Sequence, residues 1–100
     1  MDIHREVFKN IDPVAYETQL KTAYDTYDRL ILVFDFRNQP FSLEDLTQFR
    51  PIMKKYKPIT YKKVVRGEII IKHTYQKWIL KLFIKIINLK VPCEIIKNNN

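Results

Sequence analysis

The stretch Arg29-Leu30-Ile31-Leu32-Val33-Phe34-Asp35-Phe36 decides the fold of this chain. Residues 30–34 are apolar without a break, and turn-prone residues close both ends. A strand with one wet face alternates polar and apolar, so this run marks a strand buried on both faces. Helix-period segments flank it on either side, the pattern of a mostly parallel sheet.

Upstream, residues 3–8 alternate in polarity and read as a first strand at the sheet edge. Asp12-Pro13 then starts a helix over about 13–26, because Asp12 can accept from an orphan N–H and Pro13 suits the first helical position. Tyr16, Leu20, Ala23, Tyr24 and Tyr27 form its buried stripe. Downstream, Ser42 to Asp45 resembles a capping box opening a second helix, and Leu43, Leu46, Phe49, Ile52, Met53 and Tyr56 make its stripe. Pro51 kinks that helix or ends it near Phe49. From Thr60 the preferred reading is a short helix ending at Gly67 as a left-handed stop, with a strand through Val64-Val65 and a bulge at Gly67 as the other. Residues 68–72 form a third strand.

His73-Thr74 precedes the clearest helix in the chain. Tyr75, Trp78, Ile79, Leu82, Phe83, Ile86 and Ile87 mark one face, and Lys77, Lys81, Lys85 and Asn88 the other. Leu80 and Ile84 widen the apolar arc beyond what a surface helix needs, so they are expected to meet another helix or another molecule. Residues 91–97 supply a last strand, and 98–100 a disordered tail. The expectation is one α/β domain over 1–97, a four-stranded mostly parallel sheet with helices on one face. Right-handed crossovers leave the other face bare, and its Ile31 and Val33 need cover, from the N-terminal segment or from self-association.

Glycine occurs once, at Gly67, which excludes a P-loop and a GxGxxG turn. Cys93 is the only cysteine, so no intrachain disulfide forms. No apolar tract is long enough to span a bilayer, and the chain reads as soluble and cytoplasmic. Charge is uneven. Residues 1–50 carry six Lys and Arg against nine Asp and Glu, net −3, whereas residues 51–100 carry twelve against two, net +10. A basic half attracts nucleic acid or anionic lipid, and AT-rich codon usage is the competing explanation.

The order of elements, with the strand Leu30–Phe36 ending in Asp35 before a capped helix, resembles the STAS domains (sulfate transporter and anti-sigma factor antagonist), with CRAL-TRIO domains as more distant relatives. That resemblance implies a βα superhelix of four turns and a protein-binding, regulatory, non-enzymatic role. It also implies a phosphorylatable serine at the start of the helix after the central strand, a position that Ser42 alone matches. The intervening Asn38-Gln39-Pro40-Phe41 and the lack of glycine depart from the family's motif.

The expected protein-binding residues are therefore Ser42, Leu80 and Ile84, toward another protein or a second copy in a homodimer. Asp35, Arg37 and Asn38 sit at the carboxyl end of the central strand, where open α/β sheets bind ligands, and form a candidate anion or loop site. The alternative is a nucleic-acid or anionic-lipid surface of Lys54, Lys55, Lys57, Lys62, Lys63 and Arg66, interleaved with Tyr56 and Tyr61. His4 and His73 lack metal-pair spacing; His73 reads as structural and His4 as solvated. Cys93 has no CxxC partner and reads as an inert thiol. No catalytic constellation, metal or cofactor is expected.

Overall fold

The computed structural model describes residues 2–88 and 90–98. The chain runs β1 (His4–Phe8), α1 (Pro13–Thr26), β2 (Leu30–Asp35), α2 (Leu43–Thr47), α3 (Arg50–Lys55), α4 (Lys57–Lys63), β3 (Val64–Ile71), α5 (Thr74–Ile87) and β4 (Cys93–Lys97). All neighbouring strands pair in parallel, in the order β1-β2-β3-β4. Spatial order follows chain order, so right-handed crossovers put every helix on one side.

The expected α/β fold is present, and residues 30–33 of β2 are all buried. The register sorts the two faces. Phe8, Phe34 and Ile69 are level with one another, as are Leu32 and Gly67. These side chains point toward the helices and join Tyr16, Leu20, Leu46, Phe49, Leu80 and Phe83 in one core. Arg5, Ile31 and Arg66 are level on the opposite face, as are Val7, Val33, Glu68 and Glu94.

Local chemistry accounts for the boundaries. Asp12 caps α1 by accepting from Val14 N at 3.1 Å, with Pro13 following it. Pro51 stands in the first turn of α3, so the second helical segment breaks after Thr47 and restarts at Arg50, near the expected place. At the far end of α5, Asn88 takes the left-handed cap conformation with φ 50°.

Three expectations are corrected. Gly67 does not stop a helix: α4 begins at Lys57, ends at Lys63 and passes straight into β3, and no described glycine has positive φ. Val65 is the extra residue where the register shifts between Leu30 and Ile31, so the bulge lies two residues before Gly67. Asn98 continues the ladder by donating to Ile71 O at 2.8 Å, so the chain is still paired there. Residues 99 and 100 of the expected tail lie outside the described residues.

The third correction concerns α5. Leu80 is 1% exposed in the core with Ile84 half-buried beside it, and α2 packs against α5, so another helix supplies part of their cover and no second molecule is needed there. The outward side instead carries Tyr75, Trp78, Leu82 and Ile86. At 100° per residue the apolar arc of α5 covers about 240°, and one sheet can cover only about half a helix. The excess is real, but it emerges on the other side from the one expected.

Candidate interaction surfaces

The bare side of the sheet supplies its own cover. Arg5 on β1 reaches across β2 to Glu68 on β3, donating from Nη1 at 3.1 Å and Nη2 at 2.6 Å. Arg66 adds a bond from Nε to Glu68 Oε2 at 3.0 Å. This bridge crosses β2 at Ile31 and Val33, the residues level with Arg5 and Glu68. Among the described residues no helix lies on that face, yet Ile31 and Val33 are 7% and 2% exposed. Hydrogen bonding from Arg5, assisted by Arg66, holds the Glu68 carboxyl below its usual range.

The outer side of α5 is left uncovered. Trp78 and Leu82 are 64% and 54% exposed, and Tyr75 and Ile86 extend the stripe by a turn each way. Their spacing of three to four residues makes them neighbours along the helix surface. Lys77, Lys81 and Lys85 form the adjoining row, with Lys81 Nζ 5.3 Å from the Trp78 ring centroid. The result is an apolar strip edged by cations on one side.

Buried Gln76 fixes which side of α5 faces out, and residue-type reasoning gave it no role. Its Oε1 accepts from Lys72 N at 3.0 Å and His73 N at 2.9 Å. Its Nε2 donates to Phe36 O at 3.1 Å and Gln39 O at 3.3 Å. The Oε1 pair closes the N-terminus of α5, and the Nε2 pair ties its first turn to the segment that follows β2. The available signal was a glutamine at the third position of a helix, where it can reach back to the cap.

The expected site residues are scattered. Asp35 accepts from Arg37 Nε at 2.9 Å and Nη2 at 2.8 Å, so the guanidinium is spent on its own carboxylate. That pairing holds the Asp35 carboxyl below its ordinary value. Asn38 is exposed beside them. Ser42 completes the capping box with Asp45: Oγ accepts from Asp45 N at 3.2 Å, and Asp45 Oδ2 accepts from Ser42 N at 2.9 Å.

Within the basic set, Lys55 pairs with Glu17 at 2.9 Å. Lys63 donates to Tyr24 O and Tyr27 O, capping the last turn of α1, which has no basic residue of its own. Arg66 lies on the bare side of the sheet. Lys54, Lys57 and Lys62 remain exposed on α3 and α4, Lys57 over the Tyr61 ring at 5.6 Å. Tyr56 bonds Glu17 at 3.0 Å, and the Tyr61 hydroxyl accepts from Lys90 N at 3.4 Å.

His73 opens α5 as expected, stacked on Tyr75. His4 is more than solvated: it stacks on Tyr27 at 3.6 Å and bonds Glu6 at 2.9 Å. Burial pushes the Cys93 thiol up, away from the reactive thiolate. Among the described residues, no group of three His, Cys, Asp or Glu side chains is placed to hold a metal ion, and no helix is long and apolar enough to cross a membrane. An apolar cavity of about 70 Å³ lies between sheet and helices, lined by Leu32, Gly67, Phe83 and Cys93 among others.

No family model, curated protein or solved structure matches this chain.

Proposed function

We propose that this chain is a non-catalytic binding module, the kind of role its resemblance to STAS domains implies, and that it docks through the outer side of α5. The observation that carries this reading is the contiguous exposure of Tyr75, Trp78, Leu82 and Ile86 on one helix. Scattered exposed apolar residues are normal on a soluble protein, whereas an aligned strip edged by charge is the form of a contact surface. The polar groups that first suggested chemistry, Asp35, Arg37 and Ser42, are engaged in holding the loop and capping α2.

The alternative surface at residues 54–66 has less support. Lys55, Lys63 and Arg66 are each bonded to a different part of the chain, so the six cations do not act as one surface.

The test separates docking from folding. Trp78→Lys combined with Leu82→Lys should leave the melting temperature nearly unchanged and sharply reduce retention on a phenyl column. Val14→Lys, at another exposed apolar position on α1, should leave retention as it is. A double variant that unfolds, or that is retained like the parent, would contradict the proposal.

A further inference from the structure

We infer that the outer side of α5 seats on an anionic membrane surface; this rests on the docking role of α5 and names the occupant. The strip is amphipathic in the required way. Trp78 and Tyr75 carry rings suited to the headgroup level, Leu82 and Ile86 reach the acyl boundary, and Lys77, Lys81 and Lys85 border them with long stems.

Charge decides between occupants. A second copy docked strip to strip would bring two lysine rows together, within molecules already carrying +7 each. A protein partner is less well matched, because contact surfaces between proteins favour arginine and are depleted in lysine. From Gly67 onward every cation in this chain is lysine: Lys72, Lys77, Lys81, Lys85, Lys90 and Lys97. The chain's arginines lie elsewhere, and Arg5, Arg37 and Arg66 are spent on Glu68 and Asp35. A row of flexible point charges beside aromatic and aliphatic side chains suits a layer of lipid phosphates.

Trp78 is the only tryptophan, so its emission reports on this surface alone. The intact protein is mixed with vesicles of phosphatidylcholine, or of phosphatidylcholine and phosphatidylglycerol in equal parts. The expected result is co-sedimentation and a blue shift with the anionic vesicles only, both reversed by added salt. Replacing Lys77, Lys81 and Lys85 with Gln should lower partitioning roughly 100-fold, at about fivefold per lysine. Circular dichroism should show that variant as folded as the parent.

Equal binding to both vesicles, no shift with either, or a shift that grows with protein concentration alone would each overturn the inference. Phenyl-column retention without vesicle binding would overturn it while leaving the docking role of α5 standing; loss of both would remove the two together.

Discussion

Arg5 and Glu68 meet across the strand that separates them, with a two-pronged contact of 3.1 and 2.6 Å. The bare face of a one-sided βα sheet normally calls for a covering element. Here a guanidinium plane and its carboxylate shield the middle of β2 in place of a helix. The face expected to be covered by the N-terminal segment or by a second copy is thus shielded by residues of its own sheet, with Arg5 coming from the N-terminal strand.

That arrangement predicts a pH signature. Glu68 has its folded pKa depressed below the ordinary 4.5, chiefly by the bond from Arg5. The stabilisation is therefore complete above pH 4.5 and lost as pH falls below it, through the depressed folded value. Glu68→Gln should melt lower at neutral pH and show a shallower fall in melting temperature through this acid window. Asp35 and Glu17, also depressed, keep some slope in the variant. Identical acid limbs would count against the bridge.

Gly67→Ala distinguishes a strand glycine from a left-handed one. A Cβ at this position would lie 3.3 Å from Cys93 Sγ, with Leu32 O the next atom at 3.9 Å. The thiol is only half-buried and held by a weak 3.5 Å contact to Val91 O, so it can turn aside. Alanine should then stabilise the protein by about 0.5–1 kcal/mol, read from urea unfolding. A loss of similar size would mean that the thiol cannot give or that the backbone there is left-handed.

Gln76→Leu should cost about 2–4 kcal/mol in the same measurement, since it strips partners from two carbonyls and two amides at once. Leucine is close in volume, so lost bonding rather than a void would carry the loss. A neutral substitution would remove Gln76 as the pin of α5.

Leu80→Ala and Leu82→Ala compare the two sides of one helix. Truncating Leu80 should cost about 2–5 kcal/mol, because it opens a void against the sheet. Truncating Leu82 should stay within about 0.5 kcal/mol. Equal costs would mean that α5 is rotated from its assigned position.

The same helix shows where sequence reasoning stopped. The unbroken run at residues 30–34 could be placed because burial on both faces leaves no orientation to choose. On α5, periodicity gives the width of the apolar arc but not which part of it meets the sheet. That choice falls to Gln76, whose bonds reach Phe36 and Gln39 far away in the chain. Gly67 misled for a related reason: a lone glycine after a basic segment fits a helix stop and a strand equally, and only pairing with Leu32 and Cys93 decides it. Arg5 and Glu68 were legible only in part. Glu68 stands out as a charge beside an isoleucine run, whereas Arg5 does not stand out in a strand of mixed polarity, and their partnership requires β1, β2 and β3 to lie side by side. Ser42 was read correctly as a cap because its partner is three residues away.

The most direct test of the outward strip on α5 is acrylamide quenching of Trp78 in dilute, lipid-free protein. The account predicts red-shifted emission quenched nearly as readily as a free tryptophan analogue, with the rest of the fold intact. Blue emission shielded from the quencher would place Trp78 against protein and contradict the exposed strip on which the docking surface depends.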